Sequence, residues 1–138
     1  MPAQKKAYAG MEEDTMKKRI ITVITAILLI LFLCAGWFVY QTEYRKTEVL
    51  RSGQGDHTLI IYMIGEPEFP FGNTKCHAVL NEDGSVIRET DIILKNDGVR
   101  AEAENFRIEW GEENVTITAS ASEMDPEDYV LAFGSDAE

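Results

Sequence analysis

The feature that most constrains this chain of 138 residues is an uncharged run of 21 residues, from Ile20 to Tyr40. Thr22 and Thr25 are its distinctly polar members, and in a helix their hydroxyls can bond to carbonyls of the preceding turn. At about 1.5 Å per residue, such a helix is roughly 30 Å long, which is the thickness of a bilayer's hydrocarbon core. The run therefore predicts a transmembrane helix.

Two other interpretations of this run stay open. A cleaved signal peptide has an apolar core of about 7–15 residues and small residues before the cut. Here the core is longer, and bulky aromatics follow Ala35 and Gly36 directly. A lipoprotein anchor would use Cys34, but Leu33 is larger than the small residue that usually precedes such a cysteine. The uncleaved helix is the interpretation that the residues favour.

The basic residues on either side of the run predict its orientation. Five precede it and three follow it: Lys5, Lys6, Lys17, Lys18 and Arg19, against Arg45, Lys46 and Arg51. Loops rich in lysine and arginine stay in the cytoplasm. We therefore expect a single-pass protein of the cell membrane, with a cytoplasmic N-terminus and its C-terminal domain outside.

Charge is divided unevenly along the chain. Residues 1–54 carry a net charge of +3 and residues 55–138 carry −14, which gives −11 for the whole chain. Such acidity argues against a nucleic-acid partner, because phosphate contacts need clustered lysine and arginine. Anionic headgroups repel an acidic domain, so we expect the C-terminal domain to stand off the bilayer.

Four segments follow from these patterns. Residues 1–16 are predicted to be a disordered cytoplasmic tail, with Asp14 or Thr15 capping the helix. Residues 17–51 form the transmembrane helix with a juxtamembrane extension, since QTEYRKTEVLR contains no helix breaker. Residues 52–56 form a glycine-containing linker, and residues 57–138 form an extracytoplasmic acidic β domain.

A period of two from residue 57 onward predicts that this domain is all β. The stretch at 57–64 is apolar on both faces, Cys76, Ala78 and Leu80 share an inward face, and Trp110 is expected in the core. Turns are predicted at 81–85, 96–98 and 111–114. A bulge is predicted near 89–90, and a loop or helical turn is predicted at 123–128. Six or seven short strands with short connections imply an antiparallel sandwich or a curled meander. The fold class is thus mainly β, with one N-terminal membrane helix.

One loop is a candidate partner-contact site, because it places two aromatics beside two prolines. Its residues are Glu66, Pro67, Phe69, Pro70 and Phe71, within the stretch 66–72. Stiff aromatic loops make contact surfaces at low entropic cost. The competing interpretation, which is the one expected here, is that both phenylalanines tuck under the sheet and close the core.

No catalytic motif is present, so we predict a protein that is not an enzyme and that uses no cofactor or metal. Cys76 is expected to be a buried packing residue without a disulfide, because Cys34 lies in the membrane segment. His57 and His77 fall on different strands, and two His with two Cys cannot fill a clustered zinc site. Acidic residues at 123–128 could bind calcium weakly, but a solvated loop is expected.

Four stretches resemble small single-pass membrane proteins of Gram-positive bacteria that carry an exported β domain without an assigned function. They are KKRIITVITAILLI, HTLIIYMIGEP, the NDG turn and FRIEWGEENVTIT. The last also looks like a strand pair from a propeller blade, although one blade cannot close a ring. The resemblance runs from residue 17 to about 131 and implies topology and fold type alone.

Together these observations predict a membrane-anchored extracytoplasmic interaction module, an accessory component of an envelope complex. Its expected partners are the lipid bilayer and another envelope or membrane protein. The alternative is an exported β domain that binds a small ligand or a cation.

Overall fold

The computed structural model describes residues 2–134, with side chains from residue 4 onward. Residue 1 of the predicted tail and residues 135–138 of the predicted β domain lie outside the described residues. The chain divides into two units, one ending at Val39 and the other beginning at Tyr40. Helix α1 (Pro2–Val39) makes up the first unit. A π-helical turn (Tyr40–Tyr44) opens the second.

Helix α1 is long and apolar enough to cross a membrane. Its apolar half is exposed on every side, which is typical of a helix whose surroundings are lipid rather than protein. The hydroxyls of Thr22 and Thr25 donate to the carbonyls of Lys18 and Ile21, at 2.9 and 2.8 Å. The predicted internal bonding of these two threonines is confirmed.

The prediction of a disordered tail is wrong for residues 2–16, which are helical. Ion pairs one turn apart, Lys17–Glu13 at 2.6 Å and Lys18–Asp14 at 2.9 Å, link this polar half of α1 to its basic cluster. Such pairs support an exposed helix by a few tenths of a kcal/mol, about 0.2–0.5 each. Thr15 does not cap the helix, because its hydroxyl donates to the Met11 carbonyl inside it.

The second unit contains seven antiparallel strands in two sheets. Strands β1 (Lys46–Gln54), β2 (His57–Ile64), β3 (Thr74–Glu82) and β4 (Ser85–Leu94) form one sheet in that order. Strands β5 (Phe106–Trp110), β6 (Asn114–Ala121) and β7 (Met124–Ala132) form the other. A 3₁₀ turn (Ala103–Asn105) leads into β5. The predicted antiparallel β domain is confirmed, as a sandwich of four and three strands.

One core lies between the sheets. Its fully buried members alternate along the strands: Leu59, Ile61 and Met63 on β2; Cys76, Ala78 and Leu80 on β3; Ile92 and Leu94 on β4; Val115, Ile117 and Ala119 on β6. The predicted inward face of β3 is confirmed. Burial of this apolar area against a second sheet is the main stabilising term for such a fold.

The predicted helical extension to Arg51 and the linker at 52–56 are wrong. Residues 46–54 form strand β1, whose backbone pairs with β2 from Lys46 opposite Ile64 to Gln54 opposite His57. Val49 and Leu50 pack against the core. Pairing and burial outweigh a helix propensity that differs among ordinary residues by less than about 0.7 kcal/mol each.

Two further local predictions are corrected. The bulge expected near 89–90 lies instead at Ile87, because Leu80 pairs with Arg88 while Asn81 pairs with Val86. The loop expected at 123–128 is the start of β7. Pro126 is tolerated there because β7 is an edge strand, where a missing N–H costs no ladder bond. The turn that precedes β7 is thus shorter than predicted.

Candidate functional site

The predicted contact loop joins β2 to β3 and is held by its own backbone. The Gly72 amide donates to the Glu68 carbonyl at 2.8 Å, and the Glu68 amide donates to the Asn73 carbonyl at 3.0 Å. The Gly98 amide, from the turn after β4, donates to the Gly72 carbonyl at 2.9 Å. The loop is therefore fixed at both ends and against a neighbouring turn.

Both carboxylates of this loop face a cation. Glu66 pairs with the guanidinium of Arg100, and Oε1 of Glu68 lies 3.5 Å from Nζ of Lys75. All four side chains are partly exposed, so each pair contributes little to stability, about 0–1 kcal/mol. Their effect on the surface is that each carboxylate of the loop is matched by a cation.

The expectation that Phe69 and Phe71 close the core is wrong. Phe69 is 96% exposed and Phe71 is 74% exposed. Pro70 between them is exposed and Pro67 is half-buried. The loop's backbone hydrogen bonds hold both rings away from the space between the sheets. Two large apolar side chains thus project into solvent from a backbone that is held in place.

A second surface, which the sequence did not reveal, is the outer face of the four-stranded sheet. It forms a groove of about 590 Å³. Apolar side chains from alternate positions of three strands lie at its centre, Ile60 and Tyr62 on β2, Val79 on β3 and Val86 on β4. Polar side chains surround them, Thr58 on β2, His77 and Asn81 on β3 and Glu89 on β4. This face therefore combines the polar side chains usual on a sheet that faces water with an apolar centre.

Charge is arranged across this groove from one edge to the other. Lys46 and Arg51 line it on the β1 side, and Nζ of Lys46 lies 6.0 Å from the centre of the Tyr62 ring. Arg51 makes a two-pronged contact with Glu48, at 3.0 and 2.7 Å. That contact lowers the pKa of Glu48 below its ordinary value. The β1 side of the groove therefore carries two cationic side chains, Lys46 and Arg51, and Glu48 holds Arg51 in a fixed orientation.

On the β4 side, His77 is placed between two carboxylates. Its Nδ1 lies 2.6 Å from Oδ1 of Asp91, and its Nε2 lies 3.3 Å from Oε2 of Glu89. Strand register brings these groups together, since Asp91 pairs with His77 and Glu89 lies two positions before it on the same face. The contacts orient the imidazole but bring no nucleophile to it, because Cys76 points to the opposite face.

Cys76 has the environment predicted for it. It is 2% exposed among core side chains, and burial raises the pKa of its thiol to about 12. A thiol is reactive as the thiolate, so Cys76 is a packing residue at neutral pH. Both cysteines of the chain are free.

The end of the sandwich opposite the loop is closed by aromatic packing. The ring of His57 stacks on Phe133 with centroids 4.1 Å apart. Trp110 lies 6.0 Å from the same ring and donates from Nε1 to the Ser52 hydroxyl at 2.9 Å. Trp110 was expected to be buried, but it is half-buried at the end of β5. The Ser52 hydroxyl satisfies its indole N–H, as a partly buried indole requires.

Cation binding has little support among the described residues. Within residues 2–134, no group of three or more His, Cys, Asp or Glu side chains is arranged to hold a metal. The acidic stretch at 123–128 lies on an edge strand, where neighbouring side chains alternate between faces. Asp128 accepts a hydrogen bond from the Thr118 hydroxyl at 2.6 Å.

Comparison with protein-family models, with curated proteins and with solved structures gives no match.

Proposed function

We propose that the chain is a single-pass membrane protein whose acidic β unit lies outside the cell and acts as a non-catalytic interaction module. Helix α1 supports the anchor, because it is apolar on every side along residues 20–40. The basic cluster Lys17–Arg19 supports a cytoplasmic N-terminus. The exported unit would then be an accessory part of an envelope complex.

The single observation that carries this proposal is the groove on the outer face of the four-stranded sheet. Ile60, Tyr62 and Val79 lie at its centre, polar side chains surround them, and the second sheet already occupies the opposite face. An apolar centre within a polar rim is the usual anatomy of a protein–protein interface. A third layer, supplied by a partner, would remove this apolar centre from water.

The rim of the groove indicates what the partner brings. Lys46 and Arg51 stand on the β1 side, where that strand is also an unpaired sheet edge. Arg51 is already paired with Glu48, so Lys46 is the cation that a partner can reach. An extended segment with alternating apolar and acidic side chains would place its apolar set on the apolar centre and a carboxylate against Lys46. The proposed partner is thus a segment of another envelope or membrane protein.

Site-specific photo-cross-linking in cells tests this proposal. A photoreactive amino acid replaces Val86, which is 58% exposed at the groove, or Val130, which is 60% exposed on β7. We expect one discrete cross-linked product from position 86 and none from position 130. A second substitution adds another test, because Tyr62→Lys in the same chain should abolish the cross-linked product from position 86. Equal patterns from both positions would contradict the proposal.

The volume of the groove favours one alternative, a small ligand. Pockets that hold small molecules measure about 300–1,000 Å³, and this groove falls in that range. A ligand bound there would accompany the purified chain. Native mass spectrometry would detect it as added mass that Tyr62→Lys removes, and the photo-cross-link from position 86 would then be missing.

A further inference from the structure

We propose that the loop between β2 and β3 rests on the headgroup layer of the same bilayer that α1 crosses, with Phe69 and Phe71 entering that layer. The module would then have two points of attachment, a helix and a loop. This inference rests on the anchor in the proposed function, but it is independent of what occupies the groove.

The start of the loop is bonded to the residues that follow the helix. The Glu66 amide donates to the Thr42 carbonyl, and the Gly65 amide donates to the Arg45 carbonyl, both at 2.8 Å. Thr42 lies three residues after Val39, the last residue of α1. The first residues of the loop are therefore bonded to a segment that begins directly after α1 in the chain.

Close packing makes this attachment tight. Gly65 has φ +66°, and a Cβ at that position would overlap the backbone of Thr42 and Glu43. The turn Tyr40–Tyr44 therefore lies directly against the loop's first residue, without a side chain between them. The loop cannot move away from the turn without breaking both hydrogen bonds.

Chain geometry sets how far the phenylalanines can be from the bilayer. Phe69 follows Glu66 by three residues, which span at most about 10 Å when fully extended. The headgroup layer on each side of the hydrocarbon core is about 5–8 Å thick. The ring of Phe69 is therefore within reach of that layer.

The register of the sheet places the loop at the correct end. Lys46, the first residue of β1, pairs with Ile64, the last residue of β2. The start of β3 and the end of β4 meet at this same end, where Thr74 pairs with Leu94. The loop thus lies at the end where the chain enters the sandwich from the helix, and the hairpin turns 54–57 and 82–85 lie at the other end.

The chemistry of the loop suits a headgroup layer better than the rest of the unit does. Residues 55–138 carry a net charge of −14, and anionic lipids repel such a domain. In the loop, however, Glu66 and Glu68 are ion-paired with Arg100 and Lys75. Exposed aromatic rings in a loop whose own carboxylates are each paired with a cation gain free energy by leaving water for the interface. The acidic unit would then touch the bilayer only at this loop.

Spin-label accessibility in proteoliposomes of the full chain tests the inference. One sample carries a spin label at Phe71→Cys, and the control sample carries it at Val130→Cys. Val130 is exposed to a similar extent as Phe71, and both substitutions are made in a Cys34→Ser chain. Cys76 is buried and stays unlabelled. We expect the label at 71 to be several-fold less accessible than the label at 130 to a water-soluble nickel relaxant. Adding Phe69→Ser should raise its accessibility towards that of the control.

A third sample separates this inference from the anchor on which it rests. A label on the native Cys34 reports whether α1 is inserted, by high accessibility to oxygen. If Cys34 is deep in the bilayer while labels at 71 and 130 are equally accessible to nickel, the loop does not touch lipid and the inference is wrong. A label at 71 that is accessible in proteoliposomes but shielded in native membranes would identify a protein partner instead, and would overturn the lipid contact. If Cys34 itself is accessible to nickel, both the anchor and the loop contact are refuted.

Discussion

Replacing Gly65 by alanine tests the link between the post-helix turn and the loop, and Gly55→Ala provides a matched control. Both glycines have positive φ, +66° and +59°. A Cβ at position 55 meets nothing within 4 Å, whereas a Cβ at position 65 overlaps the Thr42 backbone. The two substitutions therefore share a backbone cost and differ in the clash.

The expected magnitudes follow from these contacts. A left-handed conformation costs an alanine about 1–2 kcal/mol, so Gly55→Ala should destabilise the β unit by that amount. Gly65→Ala should additionally lose the two amide hydrogen bonds to Thr42 and Arg45, each worth about 0.5–1.5 kcal/mol net. We expect its free energy of unfolding to be lower than that of Gly55→Ala by about 1–3 kcal/mol.

Urea unfolding of the full chain in detergent micelles measures this difference. A Trp37→Phe background leaves Trp110 as the single tryptophan, and its fluorescence reports the β unit because it packs near Phe133. The slope against urea should stay equal, so that midpoints can be compared. Equal free energies of unfolding for the two variants would show that the turn does not pack against the loop.

Three further predictions concern the core and its edge. Ile117→Ala should lower the free energy of unfolding by about 2–5 kcal/mol, because Ile117 is fully buried between the sheets. Urea unfolding measures this loss, and a loss under about 1 kcal/mol, which a mere Ile→Val change can cause, would contradict the packing. Trp110→Phe should lower the free energy of unfolding by only about 0.5–1.5 kcal/mol, which is the net contribution of the hydrogen bond from Trp110 to Ser52. In a Ser52→Ala chain, which lacks that bond, Trp110→Phe should cost much less. The pKa of Cys76 is raised, so its neutral thiol favours the folded state below pH 9, and this contribution should be lost as the pH rises towards 12. Thiol labelling in a Cys34→Ser chain at pH 8 should be slow when folded and fast in urea; fast labelling of the folded chain would refute the burial.

Predictions from the sequence were most accurate where one uninterrupted pattern of apolar and polar residues covers a whole strand. Strand β3 alternates, and its inward residues are those expected, Cys76, Ala78 and Leu80. Strand β2 is apolar on both faces and lies inside its sheet, between β1 and β3. The turn at 81–85 was marked by Gly84, which has φ +82°. In each case a local pattern and the final environment agree, so no knowledge of tertiary contacts was needed.

The errors lie where a distant partner decides the conformation. Strand β1 has the composition of a helix, and only its pairing with β2 makes it extended. The contacts around His77 depend on the register of β3 against β4, which a predicted break at 89–90 concealed. An acid–x–acid pair, Glu89 and Asp91, opposite a histidine on a neighbouring strand is the signal that could have found them.

Exposure of the phenylalanines was also beyond the sequence. Hydrophobicity alone predicts burial, but the loop backbone sets the direction of its side chains. Here hydrogen bonds from the loop to Asn73 and Gly98 fix that backbone, and Phe69 and Phe71 are exposed. The bond to Gly98 joins residues far apart in the chain, so the local sequence does not indicate it.

The most direct test of the account is which side of the membrane each unit occupies. Tyr8, on the polar half of α1, is 66% exposed and Val130 is 60% exposed, so a cysteine at either site should react with a maleimide that cannot cross membranes. In intact cells carrying Cys34→Ser, we predict labelling of Val130→Cys at once and labelling of Tyr8→Cys only after the membrane is permeabilised. Labelling of Tyr8→Cys in intact cells, or protection of Val130→Cys until permeabilisation, would contradict the account.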